Sequence, residues 1–423
     1  MNFIRKLSDV EATFGYMHAE LRGTTQITTL LSVNSLFRPE LLAHSVATWA
    51  RRIPILSLRI RETLGELWFC QGPAKTEDQF RLSQLHPGQS PDATMAVEVN
   101  DILPTGGPLW RLHAFAEPTA GSTHFFFTRN HAISDGYATG VVMKALLDVL
   151  FGGANLTEAP AFDTGSGRLP PRSDLLTYTP PSAETPETAP PMPEYVGQVP
   201  FFKNSPWTER RTGFITVDLT RDESASVQRT CKKHGLTINE FFATALAEAF
   251  AETVCQETMG LYTAVSLRKR YAETGFLLEP GCFISVVQAR LRLGGSSLVA
   301  NARTYRTSLR VADAEWRPPQ RTHAEIRSTV EGMAALQSFP GICITNVGRV
   351  DGALGDQAGR VTGFRTVVNR TGANYGIVLH LSTLNDSFGL TLAYGTPSMD
   401  RNIVHHVAAL IGSRARARDG LVR

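Results

Sequence analysis

The sequence predicts an α+β protein built from two halves of similar size. Segments with helical periodicity and segments with the composition of strands mix without the strict alternation that a doubly wound parallel sheet requires. At 423 residues the chain is longer than one hydrophobic core usually organises. A long stretch rich in proline, threonine and serine separates the halves. We therefore expect an N-terminal subdomain at 1–160, a proline-rich crossing linker at 161–212 and a C-terminal subdomain at 213–423.

The composition argues against several classes of protein. Hydrophobic residues make up 42% of the chain and charged residues 19%, which is typical of a globular protein. A net charge of +3 without a basic block interleaved with aromatic residues disfavours a nucleic-acid partner. No apolar segment reaches the length of a membrane span, and the N-terminus has no secretory signal. Five scattered cysteines without a CxxC spacing indicate reduced thiols, so we expect a cytoplasmic protein.

Local signals place the elements of the first half. Ser8 and Glu11 form a capping box, which predicts the start of a helix. Pro39 stands at the N-terminal end of a second helical stripe that contains Leu42, Val46 and Trp49. Short apolar runs predict strands or strand-like segments at 26–33, 57–60, 67–70, 95–99, 109–115 and 124–127.

The second half shows the same kinds of signal. Thr220 with Glu223 and Thr237 with Glu240 are capping boxes, and Gly235 is placed to end the helix between them. A basic helix is expected at 297–311, and Asp400 caps a last helix. Strands are predicted at 213–219, 261–267, 283–291, 341–346, 377–381 and 389–393.

Common catalytic motifs are missing from the sequence. It contains no GxGxxG after a strand, no P-loop, no GxSxG elbow and no HExxH. Nucleotide-dependent enzymes, serine hydrolases and zinc proteases are therefore disfavoured. His380 alternates with apolar residues and is expected to be a packed strand histidine. Without acidic or cysteine residues at ligand spacing, we expect no metal site.

One turn concentrates reactive residue types. Between the strand at 124–127 and a helix that contains Val142 and Leu146 lies TRNHAISDGY, residues 128–137. An imidazole in a cleft can take a proton from an attacking hydroxyl or amine, which makes His131 the candidate base. Asp135 can orient that ring, cap the helix or pair with an arginine, and Gly136 permits a sharp backbone turn. The alternative is a turn histidine with a capping aspartate and no catalytic role.

The turn resembles the HHxxxDG motif of the chloramphenicol-acetyltransferase-like superfamily, which includes peptide-synthetase condensation domains, plant BAHD acyltransferases, alcohol acetyltransferases and polyketide-associated acyltransferases. Four further segments are similar to segments of that superfamily in the same order. They are the N-terminal IRKLS with Glu11, the helix at 237–250, VSLR at 265–268 and TNVGRVD at 345–351. The resemblance therefore covers nearly the whole chain.

Two departures from the family pattern stand out. Asn130 replaces the first motif histidine, whereas His131 retains the second, which the family uses in catalysis. No DFGWG occurs near the C-terminus, where Asn374-Tyr375-Gly376 lies instead. This absence disfavours a BAHD enzyme. The sequence holds one such unit, so we expect a stand-alone protein rather than a multimodular synthetase.

The resemblance implies two subdomains in a V with a tunnel at their interface. A thioester, either acyl-CoA or the acyl-phosphopantetheine of a carrier protein, would enter from one face and a small-molecule acceptor from the other. His131 would act as general base, and Asp135 would pair with Arg268 as a structural brace. Asn130, Thr345 and Asn346 are candidates for lining the tunnel or steadying an oxyanion, although turn chemistry explains Asn346 equally well.

The implied function is an acyltransferase that esterifies the hydroxyl, or less favourably acylates the amine, of a secondary metabolite or lipid. An acyl carrier protein or polyketide synthase is a possible partner. Arg268, Lys269, Arg270 and Arg349 are candidates for phosphate contacts, with a solvated surface as the alternative. Two other functions stay open: a condensation-like cyclase or epimerase acting on a carrier-bound intermediate, and a non-catalytic relative that binds a carrier protein.

Overall fold

Two mixed β-sheets form the centre of the computed structural model, which describes residues 3–72, 78–86, 88–152, 169–181, 193–271, 279–294 and 296–417. The helices in these ranges are α1 (Asp9–Glu20), α2 (Pro39–Arg52), α3 (Pro91–Glu98), α4 (Gly136–Phe151), α5 (Arg221–His234), α6 (Ile238–Thr253), α7 (Leu298–Glu315), α8 (His323–Met333), α9 (Val350–Leu354) and α10 (Arg401–Arg416). None of them is both long enough and apolar enough to cross a bilayer.

The strands in the same ranges are β1 (Phe3–Lys6), β2 (Ile27–Val33), β3 (Leu58–Thr63), β4 (Glu66–Gln71), β5 (Phe80–Gln84), β6 (Trp110–Glu117), β7 (Ser122–Arg129), β8 (Val199–Pro200), β9 (Arg211–Asp218), β10 (Thr258–Ser266), β11 (Ile284–Arg292), β12 (Ser338–Phe339), β13 (Ile342–Arg349), β14 (Val361–Val368), β15 (Val378–Leu384) and β16 (Ser387–Thr396). A five-stranded sheet has the order β14-β2-β7-β6-β5, and a six-stranded sheet has the order β11-β10-β13-β15-β16-β9.

The predicted capping boxes are present. Ser8 and Glu11 begin α1, Thr220 begins α5 and Thr237 begins α6, each with both reciprocal hydrogen bonds. Gly235 ends α5 with a φ of 65°, a left-handed conformation that glycine adopts without a Cβ clash. These helices form because the cap satisfies backbone N–H groups that the first turn leaves unpaired.

The strand-like prediction at 95–99 is wrong, because these residues fall in and just after α3. Ser90 caps this helix by accepting a hydrogen bond from the Ala93 N–H at 3.1 Å, and Pro91 occupies its first turn. Thr94, Met95 and Glu98 are buried at helical spacing, whereas the side chain of Val97 is 66% exposed. The run Met95-Ala96-Val97 is apolar throughout, so it did not reveal which of these residues face the core or that the segment is a helix.

The second half of the chain contributes directly to the first sheet. β14 pairs antiparallel with β2, with Phe364 opposite Leu31. Ile326 and Val330 of α8 pack in the hydrophobic core of the first half. Neither element was predicted, and neither were β1 and β5. The boundaries at 160 and 212 stay a prediction, and much of the linker lies outside the described residues.

A third hydrophobic cluster joins the two sheets. Leu30 and Phe126 from the five-stranded sheet pack with Ala393 and the partly buried Phe214 from the six-stranded sheet. One face of the six-stranded sheet is therefore turned towards the first half of the chain. The motif turn follows β7 directly, so the fold places it at the junction of the halves.

Candidate active site

Asn130 fixes the backbone of the motif turn. Its Oδ1 accepts a hydrogen bond from the Ala132 N–H at 2.9 Å, which caps the short 3-10 turn His131–Ile133. Its own N–H donates to the carbonyl of Leu109 at 2.8 Å, and its side chain is buried. Asn130 thus shapes the turn that carries His131, a role that an amide performs well at an N-cap.

The imidazole of His131 lies between Phe14 and Cys282. The Phe14 ring, from α1, stacks on it with centroids 4.1 Å apart and planes inclined by 11°. The Cys282 Sγ lies 3.7 Å from Nδ1. His131 as a whole residue is half-buried. Neither neighbour was predicted, because nothing in the local sequence links positions 14, 131 and 282.

The environment keeps His131 neutral. Burial lowers its pKa to about 3, despite an opposing effect of its own backbone, and the positive charges of Arg129 and Arg370 lower it too. At neutral pH the imidazole therefore carries a lone pair that can accept a proton.

Asp135 and Arg268 form the expected ion pair, 3.0 Å apart and almost fully buried. Asp135 also caps α4 by accepting from the Ala138 N–H at 2.7 Å, and it accepts from the Phe283 N–H at 3.1 Å. Arg268 donates further to the carbonyl of Gly281 at 3.1 Å. Two of the roles considered for Asp135, capping and pairing with an arginine, therefore occur together.

Gly136 is required for space rather than for backbone freedom, which corrects the expectation of a special turn. Its φ is not among the positive values in the chain. A Cβ at this position would lie 3.3 Å from Cγ1 of Val347 in β13. Gly140, one turn later, approaches even more closely, since a Cβ there would lie 2.6 Å from the Ala353 Cβ. These two glycines let α4 pack against elements of the second half.

Arg129 is a supporting residue that the sequence did not identify. It is buried, and its guanidinium donates to Ser134 Oγ at 2.9 Å, to Thr29 Oγ1 at 3.0 Å and to the carbonyl of Phe127 at 3.1 Å. It also donates to Thr139 Oγ1 in α4. These bonds tie the strand before the motif to the helix after it.

Thr345 and Asn346 point to opposite faces of β13 and have different surroundings. Asn346 is exposed, and its Oδ1 accepts a hydrogen bond from the Gly348 N–H at 2.8 Å. This is the turn role that was considered as the alternative to an oxyanion contact. Thr345 points to the opposite face of β13, the face turned towards the first half, because strand side chains alternate. Of the two, only Thr345 therefore lies on the face shared with His380.

The basic residues near β10 and β13 are largely neutralised. Arg270 pairs with Asp313 at 2.6 Å. Arg349 pairs with Asp351 at 2.7 Å and Asp386 at 2.9 Å. Together with the Arg268 brace, these pairs favour the solvated-surface alternative over phosphate contacts.

Two further groups share the electrostatic environment of His131. Arg370 is buried, lies over the Tyr375 ring at 5.4 Å and donates to Asn374 Oδ1. His380 is buried in β15, as predicted for a packed strand histidine, and its pKa falls to about 3 through burial and the charges of Arg370 and His131. The sequence carried no signal that would bring these residues together.

Comparisons with solved structures identify the fold. No family profile matches the sequence, and no curated protein sequence is significantly similar to it. A trichothecene 15-O-acetyltransferase from Fusarium sporotrichioides superposes with a TM-score of 0.70 at 12% identity, covering 97% of this chain and 95% of that one. The first condensation domain of the calcium-dependent antibiotic synthetase gives 0.65 at 14% identity, with 99% and 100% covered. Polyketide synthase associated protein 5 from Mycobacterium tuberculosis gives 0.62 at 12%, with 98% of each chain covered.

These similarities extend over the full length of the chain and of each match. They confirm the α+β fold, with two mixed sheets, that the resemblance to the chloramphenicol-acetyltransferase-like superfamily implied. At identities this low they establish the fold, and function has to be argued from the site.

Proposed function

We propose that the chain is a thioester-dependent acyltransferase that acylates a hydroxyl, or less favourably an amine, of a small-molecule acceptor such as a secondary metabolite or lipid. The observation that carries this proposal is the neutral imidazole of His131, which is held by a braced turn at the junction of the two sheets. A satisfied turn histidine would need neither the buried Asp135–Arg268 pair nor the Phe14 stack.

The chemistry needs one proton acceptor and two positioned substrates. Nδ1 of His131 faces Cys282, so we assign Nε2 as the base. The acceptor oxygen attacks the thioester carbonyl while its proton passes to Nε2. Collapse of the tetrahedral intermediate breaks the C–S bond, and the leaving thiolate takes the proton back from the imidazolium. No covalent enzyme intermediate is required when both substrates are held within reach.

The donor is a coenzyme A thioester or the phosphopantetheine thioester of an acyl carrier protein, because both present the same reactive group on the same slender arm. We propose that they reach His131 through a tunnel between the subdomains. The carrier protein, or the polyketide synthase that contains it, would then be the macromolecular partner.

Mass spectrometry tests the proposal directly. The purified chain is incubated with acyl-CoA and acyl-carrier thioesters and a panel of alcohols and amines, and wild type is compared with His131→Ala. We expect turnover in the wild type and a loss of roughly 10²–10⁴-fold in the variant, the usual contribution of a general base. His406→Ala, which changes an exposed histidine of α10, should behave as wild type. Equal turnover in His131→Ala and wild type would remove His131 from the mechanism.

One alternative keeps the fold and changes the reaction. The epimerization domain of tyrocidine synthetase B superposes with a TM-score of 0.60 at 12% identity, covering 98% of this chain and 97% of that one. An epimerase or cyclase would convert a carrier-bound thioester without forming an acylated acceptor. Incorporation of solvent deuterium, or loss of water, in the thioester would reveal it. A non-catalytic carrier-binding relative would instead bind carrier protein equally with and without His131.

A further inference from the structure

One face of the six-stranded sheet is polar where it turns towards His131. The register places Thr345, His380 and Thr391 side by side on β13, β15 and β16. Thr391 shares its face with Ala393, which packs against the first half. These polar side chains therefore line the junction of the halves rather than the core of the second half.

Arg370 brings a charge to this face without a counterion. Arg370 is 3% exposed, and no carboxylate is among the groups that act on its guanidinium in the described part of the chain. Asn374 is the one acceptor that its guanidinium contacts within those residues, and Nε is buried without a partner. Arg129, equally buried, satisfies its guanidinium with four acceptors. Burying a cation is costly unless it is paired. The described neighbours of Arg370 do not supply that pairing group.

His380, like Arg370, is buried and has polar atoms without partners. The side chain is 4% exposed, and neither ring nitrogen has a hydrogen-bond partner among the described residues. Arg370 stacks on Tyr375, whose ring lies 4.8 Å from Tyr262. Tyr262 lies opposite Cys343 on the neighbouring strand β13. Thr345, two residues further along β13, lies opposite His380. The unpaired arginine and the unpaired histidine thus occupy one polar face.

We propose that Arg370, flanked by His380, forms a subsite for a carboxylate that lies beside His131 and is carried by the acceptor or by the acyl group. Its part in catalysis rests on the acyl transfer proposed above. A carboxylate matches the single charge of one guanidinium and its planar hydrogen-bonding geometry. The imidazole of His380 supplies a neutral polar neighbour for the bound group.

A carboxylate bound at Arg370 would also make His131 a stronger base. The positive charge of Arg370 lowers the pKa of His131 in the free protein. A carboxylate that neutralises Arg370 removes this effect and favours the imidazolium that forms during attack. The subsite would therefore couple recognition of an acid substrate to the basicity of His131.

Binding is tested first, without any need for turnover. The full chain, labelled with ¹⁵N-histidine, is titrated with millimolar benzoate and hexanoate, and with benzamide and hexanamide as neutral controls. We expect the acids to shift the imidazole signals of His131 and His380 and the amides to leave them unchanged. Arg370→Gln should weaken acid binding about tenfold or more. Arg210→Gln changes a second buried arginine, which also leaves a guanidinium nitrogen unpaired but contacts Ser205 and Phe201, and it should leave the acid-induced shifts of His131 and His380 as in wild type.

The controls exclude trivial outcomes. Because Arg370→Gln removes an unpaired buried charge, this variant should have a melting temperature no lower than that of wild type. If the glutamine variant does not fold, Arg370→Met is used in its place. Acid shifts of equal size in wild type and variant would show an adventitious ion only and overturn the subsite. The absence of any acid-specific shift in the wild type would overturn it too.

Turnover then identifies which substrate carries the carboxylate. Hydroxy acids are compared with their methyl esters as acceptors of acetyl-CoA, and succinyl-CoA is compared with butyryl-CoA as donor. If the wild type prefers the acid as acceptor or as acyl donor, and Arg370→Gln loses that preference, that substrate is the one that carries the carboxylate. If acids bind as expected but no arm gives transfer, the acyltransferase proposal fails while the subsite stands. If transfer occurs without acid preference or acid binding, the subsite fails alone.

Discussion

The Asp135–Arg268 brace makes the sharpest prediction about stability. Asp135→Ala removes a carboxylate that is 2% exposed and leaves the Arg268 guanidinium, 5% exposed, without its counterion. Breaking a buried ion pair from one side costs about 3–5 kcal/mol, and losing the helix cap at Ala138 adds roughly 1 kcal/mol. We expect urea denaturation, followed by circular dichroism, to show a loss of this size together with reduced turnover, because the brace holds the turn that carries His131.

Two variants isolate the cause. Asp135→Asn keeps an oxygen for the cap but loses the charge, so it should lie between wild type and Asp135→Ala. Combining Asp135→Ala with Arg268→Met should recover part of the loss, since no unpaired charge then remains buried.

A matched control completes the measurement. Asp356→Ala, which removes an ion pair with Lys144 from a carboxylate that is 76% exposed, should change stability little. If Asp135→Ala abolished turnover and lowered the free energy of unfolding by less than about 1 kcal/mol, the carboxylate would act in the chemistry and the brace would be refuted.

Both His131 and His380 have pKa values of about 3, so the unfolded chain takes up their protons below about pH 6.5 and the folded chain does not. The free energy of unfolding should therefore fall as pH decreases through this window, by up to about 1.4 kcal/mol per pH unit for each histidine. In urea titrations His380→Phe should reduce the slope by one proton, and an unchanged slope would contradict the burial of a neutral His380. Phe14→Ala should admit water beside His131, raise its pKa towards the ordinary value and move the acid limb of kcat/KM to higher pH; an unaltered profile would show that Phe14 does not shield the ring. Gly140→Ala should destabilise the fold by about 1–3 kcal/mol, because its Cβ would collide with Ala353, and a wild-type melting temperature would disprove this close approach.

Local signals in the sequence were sufficient for several helices, although α8, which Thr322 and Glu325 begin with a complete capping box, was not predicted. A capping box such as Ser8 with Glu11 involves residues three positions apart, so the sequence displays both partners. The same holds for the glycine that ends α5 and for the amphipathic stripe of α6. The segment around Met95 shows the limit, because its burial depends on which sheet it meets rather than on its own pattern.

The candidate site divides in the same way. The motif identified His131 and Asp135, and the resemblance to a superfamily supplied Arg268 as partner across 133 positions. Phe14 and Cys282 reach His131 from distant parts of the chain, and no spacing in the sequence connects them.

The sequence by itself determined several of the capped helices and most strands, and it pointed to His131 as the candidate base. Only the tertiary structure decided that β14 completes the first sheet and that Nε of Arg370 and both ring nitrogens of His380 are buried without a hydrogen-bond partner among the described residues. The physical reason is that caps and periodicity depend on neighbours in the chain. Strand pairing, burial and the pKa of an imidazole depend instead on neighbours in space, which the fold brings together from positions hundreds of residues apart.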